Sequence, residues 1–160
     1  MASTNQGKVK ELKAVLSDAG FEVLGVKDLA DERFQDMEVE ETGDTFAENA
    51  RLKAEAWGRL TGMWTLADDS GLEVRALDGA PGVYSKRYGA SDAERNKKLL
   101  KEMKPIPENR RQARFVAAMA LFDPNKDKVE LFEGVVEGLI AKEPKGSDGF
   151  GYDPVFYSTE

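Results

Sequence analysis

The chain has 160 residues, of which 41% are apolar and 33% charged, a balance that fits one globular domain with a sizeable core and excludes a disordered chain. A formal net charge of −7 disfavours long polyanions, so neither DNA nor RNA is an expected partner. The chain has no cysteine and no histidine, which excludes disulfides, thiolates and imidazole bases and is compatible with the reducing cytoplasm. No apolar run is long enough to span a bilayer, and the first residues lack a basic-plus-apolar signal pattern, so no membrane partner is expected.

The spacing of Val9, Leu12, Val15, Leu16 and Ala19 predicts a helix from Asn5 to Gly20, with the glycine as its stop. Phe21 to Val26 alternates like a short strand. Thr45 and Glu48 match a capping box that opens a helix through Trp57 and Leu60 to Gly62. Met63 to Ala67 reads as a strand that ends at the acidic turn Asp68-Asp69-Ser70-Gly71. Ser91 and Glu94 match a second capping box, for a helix to about Met103, with Pro105 and Pro107 beyond it. Ala113 to Phe122 is assigned as a strand because Asp123-Pro124-Asn125 supplies a turn into the β-branched stretch from Val129 to Ile140. Gly134 and Gly138 suggest bulges or bends in that partner. The order predicts an α/β fold, with a mixed central sheet flanked by helices in a single domain.

Three stretches concentrate chemistry. Ser3-Thr4-Asn5-Gln6-Gly7-Lys8 leads into the first helix, where free backbone N–H groups and a lysine suit an anion, although Thr4 or Asn5 as a simple helix cap is the plainer reading of these residues alone. Asp68 and Asp69 follow an apolar strand, and Glu40 and Glu41 form an acidic pair upstream. Carboxylates near a buried strand need compensation, and a hard divalent ion such as Mg2+ is the usual partner of oxygen-only ligands. Solvated loops and polar turns explain the same residues more plainly. Gly146 to Pro154 interleaves glycines with Phe150 and Tyr152, whose faces suit stacking on a flat base, or else fill a core.

Taken together, Ser3–Lys8, Glu41-Thr42-Gly43-Asp44-Thr45-Phe46-Ala47-Glu48-Asn49-Ala50, Leu66–Glu73 and Gly149–Pro154 resemble the signatures of the inosine/xanthosine triphosphate pyrophosphatases. The blocks occur in the family's order from Ser3 to Tyr157. The resemblance implies two lobes with a nucleotide cleft between them, and Mg2+-dependent hydrolysis of ITP, dITP or XTP to the monophosphate and pyrophosphate, in a cytoplasmic homodimer. It assigns Asp69 as proton acceptor and metal ligand, and Glu41, in preference to Glu40, as the second metal ligand. Ser3, Thr4, Asn5, Gln6, Gly7, Lys8, Lys53, Ser70, Phe150, Gly151, Tyr152 and Asp153 are the residues it assigns to the substrate. Lys53 read alone is an ordinary helix-surface lysine, and Asn49, Lys86 and Arg87 are further polar candidates. Family members usually add an apolar strand before the first block and a Ser-His-Arg motif after the last, and this sequence has neither. Arg75 stands where the family commonly has an acid. The alternatives are a pyrophosphatase for other modified nucleotides and a catalytically silent nucleotide-binding module.

Overall fold

The computed structural model describes residues 1–2, 6–17, 20–29, 34, 37–146 and 150–159. Within them the expected α/β class is realised by helices α1 (Gln6–Ser17), α2 (Phe46–Thr61) and α3 (Asp92–Glu102) and strands β1 (Thr65–Val74), β2 (Gln112–Asp123), β3 (Lys128–Ile140) and β4 (Phe156–Ser158). The four strands form one sheet in chain order. The residues divide into two units, Met1–Asp69 with Ala118–Phe132, and Ser70–Ala117 with Glu133–Glu160.

In the first unit, α1 buries Val9, which packs against Gly25. The Asp28 carboxylate ties the following turn together by accepting from Lys13 at 2.6 Å and from the Gly25 N–H at 2.8 Å. The strand expected at Phe21–Val26 does not form. Phe21 is exposed, burial rises steadily toward Val26, and Val26–Asp28 closes a 3-10 turn. Among the described residues no strand ladder takes up this stretch, although the Met1 ammonium donates to the Leu24 carbonyl at 2.6 Å; a strand needs a partner as well as a pattern.

The capping box at α2 is made as expected. The Thr45 hydroxyl accepts from the Glu48 N–H at 3.1 Å, and the Glu48 carboxylate accepts from the Thr45 N–H at 3.1 Å. Gly62 ends the helix in the left-handed conformation with φ of 66°. Gly58, inside α2, lies so close to β2 that an added Cβ would stand 2.0 Å from the Phe122 ring. A helical glycine ordinarily loses about 1 kcal/mol to alanine. Here Gly58→Ala is expected to lower stability by about 1–3 kcal/mol through overpacking. Urea unfolding reads this directly, and a raised midpoint would contradict the contact.

β1 runs further than the sequence reading placed it. Rather than stopping at Ala67, it continues through Asp68, Asp69, Ser70 and Gly71 to Val74. Thr65 and Ala67 are buried at one end, and Leu72 and Val74 at the other. Odd-numbered positions therefore face the core before the acidic motif and even-numbered ones after it, leaving Asp68, Asp69 and Ser70 half-buried between. Asp, Ser and Gly suggest a turn by local preference, and strand pairing overrides it.

The second unit has a core of Leu72, Val74, Leu99, Met103, Ala113, Ile140, Tyr152 and Val155. Its helix α3 opens at Ser91, whose hydroxyl accepts from the Glu94 N–H at 3.2 Å. The Glu94 carboxylate reaches back to the Ala90 N–H instead of that of Ser91. β3 and β4 pair antiparallel, with Gly138 opposite Ser158 and Ile140 opposite Phe156. A Cβ at Gly138 would meet the Phe156 ring at 2.4 Å, so this glycine serves close approach rather than the bulge expected of it.

Candidate active site

The segment carrying Glu41 is fastened to the start of α2. Its Gly43 N–H donates to Asn49 Oδ1 at 2.8 Å, and the Asp44 N–H donates to Glu48 at 2.8 Å. Gly43 has no room for a side chain, because a Cβ would lie 2.6 Å from that of Glu48. Lys53 follows Asn49 by one helical turn on the same face. Its Nζ donates to Glu41 Oε1 at 2.8 Å and lies 3.5 Å from Asp69 Oδ1 of β1. The ammonium thus stands between two carboxylates drawn from different elements.

These three side chains are only 16% (Lys53), 30% (Glu41) and 16% (Asp69) exposed, so their fields are less screened than on open surface. Glu41 and Asp69 thus bring two carboxylates to one ammonium. Their oxygens suit a hard divalent cation, which commonly takes one or two carboxylates from the protein and the rest from water and substrate phosphate. Among the described residues no group of three or more acidic, His or Cys side chains is placed to hold a metal; a cation here would rely on the Glu41–Asp69 pair. Glu40 is exposed. Ser70 follows Asp69 on β1, half-buried.

Ser3, Thr4 and Asn5 lie outside the described residues. Gln6, Gly7 and Lys8 form the first residues of α1, with Gly7 exposed. Of Gln6 and Lys8, only the backbone is described.

The glycine-aromatic block belongs to the second unit, and its residues divide into two kinds. Phe150 is 74% exposed, whereas Tyr152 is buried in the core. The Tyr152 hydroxyl donates to the Ser85 carbonyl at 2.8 Å, and burial pushes its pKa up to about 12. It is a neutral donor committed to the fold, and Phe150 alone of the two offers a ring face. Gly151 is left-handed with φ of 61°. Asp153 Oδ2 accepts from the Phe150 N–H at 2.9 Å, closing the turn. Ser147, Asp148 and Gly149 lie outside the described residues.

The sequence profile of the Ham1 family matches residues 1–160. The chain belongs to the Ham1 family. It is 48% identical to a dITP/XTP pyrophosphatase of Symbiobacterium thermophilum, over 98% of this chain and 76% of the relative. With a dITP/XTP pyrophosphatase of Thermus thermophilus it shares 50% identity, over all of this chain and 75% of that one. The solved Ham1 protein of Staphylococcus aureus superposes with a TM-score of 0.88 at 42% identity, covering 99% of this chain and 79% of that one.

Around the Ham1 motifs, sequence reasoning missed residues that hold the Phe150 segment. Asp92 Oδ2 accepts from the Gly151 N–H at 2.9 Å, and Asn96 Nδ2 donates to the Gly151 carbonyl at 2.9 Å. Asp92 lies between Ser91 and Glu94 of the second capping box and drew no reading of its own. Asn96 carried a legible signal, since it shares the buried stripe of α3 with Leu99 and Met103; a polar residue on an apolar stripe calls for a partner.

Proposed function

We propose that this chain hydrolyses non-standard purine nucleoside triphosphates, dITP, XTP and ITP, to the monophosphate and pyrophosphate. The observation that carries the reading is the Lys53 ammonium held between Glu41 and Asp69, in a chain close to half identical to dITP/XTP pyrophosphatases. Water attacks the α-phosphorus, the bond from that phosphorus to the oxygen bridging to the β-phosphorus breaks, and pyrophosphate leaves. Asp69 accepts the proton of the attacking water. Lys53 and Lys8 hold the polyphosphate by charge, with Ser3 to Gly7 and Ser70 as its polar contacts. Phe150 stacks on the base, Gly151 and Asp153 shape the turn that carries it, and Tyr152 serves the subsite from the core by anchoring that turn to the Ser85 carbonyl. Glu41 and Asp69 are the residues that would hold Mg2+, which when bound supplies charge neutralisation at the phosphates and a more acidic water.

The chain is further proposed to act in the cytoplasm as a homodimer. β3 supports the second point by exposing Leu131, Phe132, Val135 and Val136, an apolar run that a second copy would cover.

The test is pyrophosphate release from ITP beside GTP and ATP, with and without Mg2+, and with orthophosphate assayed separately. Pyrophosphate from ITP, much faster than from GTP and only with Mg2+, is expected. Equal rates on all three substrates would remove the base selectivity, and orthophosphate as first product would remove the reaction.

A further inference from the structure

Gly151 is gripped on both sides by α3. Its N–H donates to Asp92 Oδ2 and its carbonyl accepts from Asn96 Nδ2, each at 2.9 Å. The other oxygen of Asp92 pairs with Arg95. Arg95 in turn donates to the carbonyls of Lys86 at 3.0 Å and Gly89 at 3.2 Å. The anchor is therefore braced by the segment before α3 as well as by the helix itself.

Asn96 is only 7% exposed, and among the described residues its Oδ1 has no hydrogen-bond partner. Leucine shares the branched shape of asparagine and suits the apolar stripe, but it has no N–H to offer the Gly151 carbonyl. The bond to Gly151 is what the amide supplies that leucine could not. Immediately beside it, Phe150 projects into solvent, with its backbone held by Asp153. An exposed ring on a rigid turn meets a flat ligand without first having to be ordered.

We infer that Asp92 and Asn96 are positioning residues for the nucleobase, holding Gly151 by its N–H and its carbonyl so that the Phe150 ring stands ready to stack. Although both line the same cavity as Phe150, their part in this role is to act through its ring. The inference rests on the proposed reading of Phe150 as the base platform. It predicts that these residues govern affinity for the base-bearing half of the substrate and leave the phosphate half alone.

The test compares the wild-type chain with Asn96→Leu, Asp92→Asn, Phe150→Ala and the Phe150→Ala/Asn96→Leu double variant. Calorimetric affinity for inosine monophosphate and for tripolyphosphate is measured with KM and kcat for ITP and the melting temperature. Asn96→Leu is expected to stay folded and to melt within a few degrees of the wild-type temperature, because the Gly151 carbonyl it releases is only partly buried. It should weaken inosine monophosphate binding and raise KM by roughly 5- to 100-fold, the range for one aromatic–base stack. Affinity for tripolyphosphate and kcat should stay within about 2-fold. Asp92→Asn, which keeps an acceptor for Gly151 but loses its charge, should show the same pattern more weakly. In the Phe150→Ala background Asn96→Leu should add nothing further.

If Phe150→Ala weakens binding and Asn96→Leu does not, or if their effects add in full, the positioning role is overturned while the base platform stands. Equal loss for inosine monophosphate and tripolyphosphate would mark a general structural role and overturn it too. If Phe150→Ala changes nothing, or the wild-type chain binds no inosine nucleotide, the platform reading falls and takes this inference with it.

Discussion

Asp69→Asn is expected to lower kcat for ITP by about 100- to 10,000-fold, the usual range for losing a positioned general base. The substitution keeps the shape of the side chain and removes its charge. Because the carboxylate lies 3.5 Å from Lys53 Nζ and is only 16% exposed, the amide would fit the same space without opening a cavity. Lys53 would keep its shorter contact to Glu41 at 2.8 Å. The fold should survive, and melting within a few degrees of wild type is the control for it. Lys53→Met makes the contrast. It removes the charge proposed to hold polyphosphate and leaves Glu41 and Asp69 without the cation between them. It should therefore raise KM along with lowering kcat, and weaken tripolyphosphate binding, which Asp69→Asn should not do. An Asp69→Asn variant turning over within 10-fold of wild type would show that the proton goes elsewhere.

The second large effect is on stability. Arg111→Met is expected to destabilise the chain by about 3–5 kcal/mol, because several buried carbonyls lose their donor at about 1–3 kcal/mol for each one left unsatisfied. The Arg111 residue is 5% exposed. Its guanidinium donates to the carbonyls of Ile140 at 2.8 Å, Met103 at 2.7 Å, Ile106 at 3.2 Å and Ala141 at 2.7 Å. Met103 is the C-cap of α3, where carbonyls lack helical partners and carry the negative end of the helix dipole. One planar fork thus ends a helix and ties it to the end of β3. Methionine would fill the space while leaving these carbonyls facing an apolar chain. Lysine should rescue poorly, because a single ammonium cannot reproduce the geometry of the fork. Equilibrium urea unfolding measures the difference, and a loss under about 1 kcal/mol would mean that the carbonyls find water.

What could be read in the sequence was mostly local. The α2 start was legible because Thr45 and Glu48 satisfy each other within one turn, and its end because Gly62 adopts a conformation that most residues resist. The β2–β3 hairpin was legible for the same reason, with its turn written at Asp123-Pro124-Asn125. Errors arose where distant pairing outweighs local preference. Phe21–Val26 had a strand pattern but joins no ladder among the described residues, whereas Asp68–Gly71 had turn residues and lies inside β1. The three-residue β4 was not anticipated, since it depends on Gly138 admitting Phe156. At the site, the motifs marked Glu41, Lys53 and Asp69, but the ion pair itself joins residues far apart in the chain. Tyr152 and Phe150 looked alike as aromatic residues beside glycine, and only their burial separates them. The place of Asn96 on an apolar stripe signalled that it needed a partner, but its grip on Gly151 spans 55 positions, and nothing local pointed to which partner.

The fastening of Gly43 to Asn49, with Lys53 one turn beyond, makes the stretch from Glu41 to Lys53 a ruler as well as a scaffold. Successive α-helical positions advance by about 100°. One residue added or lost between Asn49 and Lys53 would swing the ammonium off the face that meets Glu41 and Asp69. Point substitutions on the outer side of α2 disturb no such phase. Natural variation in this stretch should therefore take the form of changed letters and almost never of changed length, while the turn between β2 and β3 is free to lengthen.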